Sequence, residues 1–294
     1  MKRVSRLIAA AAVAMTAALG MTQTAQAQNG IDIVIIMDQS GSMSGEQAFI
    51  SSVIQSLDAG LVGAGVTNRT YSAIGYGGSG AGLPQALVNT TAGAAGAAAI
   101  AANPFSASGG FEDGYEAIDF ALNNTGTNGY AKNYILISDE DRDVRNPGQF
   151  TFNSILQDMV GDDVVLNVIN NYFGTMNVNG GPNNAIGHDS AGTSYNPDGL
   201  GGYLQGLAGA MSTGFNVDGF GTTVQDYYNL ALATQGAAWD LNLLRAGGNS
   251  LTSFRNAFLD IKVQEIRMQV IPLPGAAGMG LAGLGMLAIR RRRA

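Results

Sequence analysis

Residues 31–37, Ile31-Asp32-Ile33-Val34-Ile35-Ile36-Met37, are a short, almost wholly apolar, β-branched run. That pattern predicts a strand buried on both faces of a parallel sheet. Next, Phe49, Ile50, Val53, Ile54, Leu57 and Leu61 recur at helical spacing, predicting an amphipathic helix from about Glu46. The same reading predicts a second strand over 71–76, a short edge strand over 85–89 and an Ala-rich helix over 91–102. Tyr115, Ile118, Ala121 and Leu122 mark a further helix, and 134–138 a second buried strand ending in Asp139. Helix over 152–160, strand over 164–169, and helices over 226–234 and 251–261 complete the alternation. Strands alternating with helices predict a doubly wound, mostly parallel α/β sheet.

One stretch breaks this rhythm. Residues 171–221 are rich in Gly, Asn, Ser and aromatics and carry no sustained period. A structureless loop of that length is uncommon in a compact domain, so an insertion with its own hairpins, or a mobile surface feature, is expected. Tyr172, Phe173, Tyr195, Tyr203, Phe215 and Phe220 within it suit either a glycan- or protein-binding surface or a small core of the insertion.

The two ends change the picture of where the domain works. Lys2, Arg3 and Arg6 precede an apolar stretch over 7–19, and Ala25-Gln26-Ala27 offers an A-x-A cleavage site, so 1–27 reads as a signal peptide. At the other end Ile271-Pro272-Leu273-Pro274 leads into an uncharged Gly-, Ala- and Leu-rich stretch over 275–289 and then Arg290 to Arg293. As a helix that stretch reaches about 22 Å, short of the ~30 Å hydrocarbon core. A transmembrane stop-transfer segment held by cytoplasmic arginines is one reading. The layout also resembles the PEP-CTERM sorting signals of Gram-negative bacteria, in a Pro-Leu-Pro variant. That resemblance implies that a membrane protease of the exosortase type removes the tail and releases or anchors the protein at the surface.

Without both ends, eight basic residues face 22 acids, a balance of about −14. Such a chain disfavours nucleic acid as a partner and favours solubility and cation binding. There is no cysteine, so disulfides and thiol chemistry are excluded. The roughly 240 residues over 28–270 suit one large α/β domain.

The candidate chemistry lies where the first strand ends. Asp38-Gln39-Ser40-Gly41-Ser42 places a carboxylate and two hydroxyls at alternate positions just before a helix. Open α/β sheets bind ligands at the carboxyl ends of their strands, and oxygen donors suit a hard divalent cation. This D-x-S-x-S element, with an acid closing the later strand at Ile135-Leu136-Ile137-Ser138-Asp139, resembles the von Willebrand factor A (vWA) domain over about 32–265. The resemblance implies a Rossmann-like fold and a metal-ion-dependent adhesion site. It implies that Ser40 and Ser42 ligate the metal through their hydroxyls, that Asp38 orients them and holds the metal or a water, and that Asp139 acts through water.

The second loop departs from the family pattern: Gly109-Gly110 is followed by Phe111-Glu112-Asp113-Gly114-Tyr115-Glu116-Ala117, not by a threonine. Aligned on Glu116-Ala117, it makes Asp113 the ligand, with Glu112 the next choice. A carboxylate there offsets more cation charge than a hydroxyl, so metal retention should strengthen and the pull on a partner's carboxylate weaken. The cation is Mg2+ or Ca2+, with the extra carboxylates tilting slightly toward Ca2+.

Other motifs carry less. Asp139-Glu140-Asp141-Arg142-Asp143 resembles the start of an EF-hand loop but lacks the turn glycine and the closing Glu. It reads as a solvated acidic loop with Asp141 and Asp143 paired to Arg142 or Arg145, with a second cation as the alternative. His188-Asp189-Ser190 cannot adopt triad geometry, and His188 reads as an exposed loop residue. Trp239 reads as packed. With no activated nucleophile and no histidine cluster, an enzyme is the weakest reading. The expectation is a secreted or surface-displayed binding module of a Gram-negative envelope that recognises a protein or matrix ligand. The alternative is a structural matrix or biofilm component whose metal stabilises the fold.

Overall fold

A computed structural model describes residues 28–78, 82–127, 129–145, 148–171, 185–207 and 223–271. The expected signal peptide, the sorting stretch from 272 onward, and Tyr172, Phe173, Phe215 and Phe220 lie outside the described residues. Residues Gln28–Val270 form one compact unit.

The apolar run becomes β1 (Ile31–Asp38), buried at every position because it is central in the sheet. β2 (Arg69–Tyr76), β4 (Ala131–Ile137) and β5 (Val164–Asn170) join it in parallel, and β3 (Gln85–Ala92) pairs antiparallel at one edge. The order β3-β2-β1-β4-β5 reverses direction about β1, the arrangement of doubly wound sheets. The α/β doubly wound fold class read from the sequence is therefore the observed one.

Helices cover the two faces. α1 (Ser44–Gly63) buries Phe49, Ile50, Val53, Ile54, Leu57 and Leu61, the stripe its spacing predicts. α2 (Gly93–Ala101) is the Ala-rich helix. α3 (Gly114–Asn124) and α4 (Phe152–Gly161) lie on the face where Val34, Ile36, Tyr134, Leu136, Leu166 and Val168 form the core with Tyr115, Ile118, Ile155 and Met159. The start of α4 is fixed by a reciprocal capping box between Thr151 and Ser154. A short π-turn over Val224–Tyr228 feeds α5 (Asn229–Ala233).

The departure from expectation is at the far side of the sheet. β6 (Gly187–Asp189), β7 (Thr193–Pro197) and β8 (Tyr203–Leu207) form antiparallel hairpins, as expected of the insertion. They are not a separate feature, because β6 pairs with β9 (Ala237–Asp240), which is itself parallel to β5. Among the described residues the sheet thus has nine strands, β3-β2-β1-β4-β5-β9-β6-β7-β8. His188 is buried on β6, only 1 % exposed, which corrects its reading as a loop residue. Trp239 is fully buried on β9, as its size predicts. It meets Phe254 and Phe258 edge-on, with centroids 6.2 and 5.3 Å away, and Tyr195 stacks on it at 5.6 Å. Both phenylalanines belong to α7 (Gly248–Val270), which comes after the short α6 (Leu241–Arg245) and extends past the predicted 251–261 at both ends.

Among the described residues, no helix is long and apolar enough to cross a membrane.

Candidate metal centre

The parallel strands β1 and β4 end side by side, so the loops that leave them meet at one edge of the sheet. Asp38 closes β1 with no exposed surface. Its Oδ1 accepts the Ser40 backbone N–H at 2.7 Å, which turns the chain sharply, and its Oδ2 accepts the Ser138 hydroxyl at 3.3 Å. The turn brings Ser40 and Ser42 together, with their hydroxyl oxygens 3.1 Å apart. Ser40 is buried and Ser42 is exposed.

A second loop closes over this turn. Ser108 N–H donates to the Gln39 carbonyl at 2.7 Å, and Gln39 N–H donates to the Tyr76 carbonyl at 2.7 Å. Gly77 (φ +70°) and Gly109 (φ +117°) occupy left-handed backbone, and a Cβ on Gly109 would stand 2.4 Å from the Gly77 carbonyl oxygen. Only glycine permits that approach. The third loop is clamped to the second by a reciprocal pair: Asp143 N–H donates to the Glu112 carbonyl at 2.8 Å, and Glu112 N–H to Asp143 Oδ2 at 3.0 Å.

Three carboxylates converge. Asp38, Glu112 and Asp139 each offer an oxygen, all within 4.8 Å of one another, and all three residues are buried. Glu112 Oε2 and Asp139 Oδ1 are buried and have no hydrogen-bond partner among the described residues. Burial raises the pKa of Asp38 and, more strongly, of Glu112, and their mutual contact adds to the rise at Glu112. Two adjacent buried carboxylates cannot both ionise cheaply, and a cation between them would offset their charge. Oxygen-only donors, convergent geometry and unpartnered acceptor atoms all fit a hard divalent ion.

Asp113 stands elsewhere. It is the N-cap of α3, accepting the N–H groups of Tyr115 and Glu116 at 3.1 and 3.3 Å. Arg142 grips it with both Nε and Nη2, at 2.5 and 3.1 Å, and lies 4.3 Å from the Tyr115 ring centroid. The carboxylate that reaches Asp38 is Glu112, the second choice of the sequence reading. The reason is local: the residue directly before the helix must cap it, and its neighbour is left to face the sheet edge. Arg145 turns to Glu116 at 3.6 Å. The arginines of the acidic loop therefore serve the second loop, not Asp141 and Asp143, which corrects the pairing expected from sequence.

Two neighbours of this cluster were not foreseen. Arg245, at the end of α6, donates to Glu46 Oε1 at 2.6 Å, to Asp139 Oδ2 at 2.8 Å and to the Ser42 carbonyl at 3.3 Å. Burial opposes its charge, but the hydrogen bonds to Glu46 and Asp139 outweigh that and raise its pKa. Asn171, at the end of β5, donates to the Asp139 carbonyl at 2.6 Å. Glu46 carried a faint signal as an acid in the first turn after the serine motif. Arg245 carried only scarcity, being one of eight basic residues between the two chain ends.

No family model and no curated protein matches this chain. Among solved structures it is similar to a von Willebrand factor type A protein from Catenulispora acidiphila, with 14 % identity and a TM-score of 0.37, over 49 % of this chain and 34 % of that one. It is similar to the conserved hypothetical protein BatB from Bacteroides thetaiotaomicron, with 15 % identity and a TM-score of 0.43, over 81 % of this chain and 100 % of that one. It is also similar to the pilus adhesin SpaC from Lactobacillus rhamnosus GG, with 12 % identity and a TM-score of 0.49, over 82 % of this chain and 31 % of that one. The chain thus spans about a third of the first and the last of these. None reaches a TM-score of 0.5, and the doubly wound α/β architecture rests on the strand order and the helices of this chain itself.

Proposed function

We propose that this chain is an exported binding protein of the cell surface or extracellular matrix whose sheet edge holds one Mg2+ or Ca2+. The observation that carries the proposal is the convergence of Asp38, Glu112 and Asp139 beside the Ser40 and Ser42 hydroxyls, with acceptor oxygens left over. Those five residues would hold the ion, and the ion would supply the positive charge that an acidic group on a protein or matrix partner needs. With Glu112 in the set, three carboxylates retain the ion by themselves and draw less on the partner. The export signal and the tail motif support a place in the envelope of a Gram-negative bacterium.

Isothermal titration of the chelator-treated protein with Ca2+ and Mg2+ tests this. Binding of either ion without a partner is expected, and absence of both would sink the reading. Capture of the protein by its native cell surface, with and without chelator, then tests adhesion.

The burial of all three carboxylates favours a second reading, in which the ion serves the fold of a matrix component. Asp38→Ala separates the two. Lost capture with an unmoved melting temperature supports adhesion; a collapsed fold with no capture by the wild type supports the structural role.

A further inference from the structure

A second buried polar cluster lies beneath α7, away from the metal centre. Lys262 has no exposed surface, and neither do Asn133 on β4 and Asn167 on β5. All three converge on one atom: Glu265 Oε1 accepts from Lys262 Nζ at 2.9 Å, from Asn133 Nδ2 at 2.6 Å and from Asn167 Nδ2 at 2.9 Å. The walls are aromatic. Lys262 Nζ is 6.0 Å from the Phe258 ring centroid, and Trp239 closes the far side of Asn167.

The two amides differ. Asn133 Oδ1 is buried with no hydrogen-bond partner among the described residues. Asn167 Oδ1 accepts two donors, Ala237 N–H at 3.2 Å and Trp239 Nε1–H at 3.4 Å. Paired donors on a carbonyl oxygen polarise the carbon and stabilise negative charge that develops on the oxygen. The same contacts fix the amide's orientation, so its nitrogen faces Glu265. An amine, a carboxylate able to move a proton, and a polarised amide thus share one site.

We propose that Lys262 and Asn167 form an intramolecular isopeptide bond, with Glu265 as the proton carrier. The neutral amine Nζ attacks Asn167 Cγ, and the oxygen charge is held by Ala237 N–H and Trp239 Nε1–H. The Nζ–Cγ bond forms, the Cγ–Nδ2 bond breaks, and ammonia leaves. One proton passes from Nζ to the Glu265 carboxylate and from there to the departing nitrogen. No electron is transferred and no co-reactant is consumed. Burial lowers the lysine pKa against the opposing pull of Glu265, which raises the neutral fraction the attack requires. Glu265 also lines an open cavity of about 320 Å³ with Tyr195, Ile261 and Gln264, an exit for ammonia. A chain without cysteine has no disulfide with which to staple the long α7 to the sheet, and this bond would do so.

Proteolysis of the purified wild-type protein and tandem mass spectrometry of the digest test the bond. A branched peptide joining the Asn167 and Lys262 segments, lighter by one ammonia, is expected. Intact mass alone does not suffice, because Gln28 at a processed N-terminus cyclises with the same loss. Lys262→Arg and the near-isosteric Glu265→Gln should each lack the branched peptide. Glu265→Gln should keep the wild-type circular dichroism, with a lowered melting temperature. Unmodified Asn167 and Lys262 peptides in the wild type would overturn the bond. A branch at Asn133 would overturn the choice of amide, and persistence of the branch in Glu265→Gln would overturn the role of Glu265.

Discussion

Asp32 and Asp38 stand at opposite ends of the same strand, and both are buried, at 1 % and 0 % exposure. Asp32, at the amino end, accepts the Thr70 hydroxyl on one oxygen and the Thr127 N–H on the other at 2.5 Å. Both of its oxygens meet donors. Asp38, at the carboxyl end, faces Glu112 and Asp139, which keep buried oxygens without partners among the described residues. A buried acid is common where donors surround it; a cluster of buried acids short of donors is chemically incomplete. Strand polarity explains the placement, because only the carboxyl edge gathers the loops that leave β1 and β4.

The widest separation between the two ends should come from removing each carboxylate in turn. Asp38→Ala should weaken divalent binding beyond the ~100-fold that outer-sphere changes reach. In the wild type, metal at 100 times its Kd should add about 2.7 kcal/mol of stability, and the same concentration should add less than about 0.4 kcal/mol in Asp38→Ala. Asp32→Ala should leave the metal titration intact and cost about 3 kcal/mol through two lost charge-assisted hydrogen bonds, at about 1.5 kcal/mol each. Calorimetry and denaturant melts of both variants check this, and loss of metal binding in Asp32→Ala would dissolve the contrast.

Glu112 and Asp113 sharpen it at single-residue resolution. Asp113→Asn breaks a buried two-pronged contact between Arg142 and Asp113, whose side chains are 6 % and 3 % exposed, and should cost about 4 kcal/mol by leaving the guanidinium without a carboxylate. Glu112→Gln removes the crowding with Asp38, so the metal-free protein should gain about 1 kcal/mol while its metal affinity falls. Chemical denaturation with and without Ca2+ separates the two. The reverse pattern would return the ligand role to Asp113.

His188 offers a third kind of buried ionisable group, one kept neutral. Burial lowers its pKa to about 4 from 6.5, against a smaller opposing pull from Asp189. Between those values the unfolded chain binds a proton that the folded chain refuses, so stability is whole above pH 6.5 and falls toward pH 4. The full loss is about 3 kcal/mol, at 1.36 kcal/mol per pKa unit. His188→Gln should flatten the urea-melt profile over that window. An unchanged slope would mean that the imidazole reaches water.

The half of the sheet built from β1, β2, β4 and β5 was legible because central parallel strands must be continuous apolar runs and their helices must carry a 3.6-residue stripe. The antiparallel half was not. β6 and β7 are three and five residues long, and His188, Ser194 and Asn196 on them carry no period. They become strands because β9 offers an open edge, which is information from far along the chain. The same holds in the site. Asp38, Ser40 and Ser42 are one local motif, whereas the choice of Glu112 over Asp113 depended on which residue caps α3. Arg245 depended on contacts to Glu46 and Asp139, 199 and 106 residues away along the chain.

Arg245 is also where the comparison is most finely poised, because it is the one donor reaching Asp139 from a guanidinium among the described contacts. Its side chain is 34 % exposed, while Glu46 and Asp139, which it joins, are 2 % and 4 % exposed. Arg245→Met keeps the stem's packing and removes the charge. Two buried carboxylates then lose their partner, a loss that solvent access to the guanidinium reduces to about 2 kcal/mol in the metal-free protein. An added cation should recover more stability in this variant than in the wild type, because Asp139 no longer has to divide its charge between arginine and metal. Thermal melts of both proteins across a Ca2+ series measure this. If the two curves stay parallel at every concentration, Arg245 braces α6 and does not tune the ion, and the carboxyl edge is then set by its acids alone.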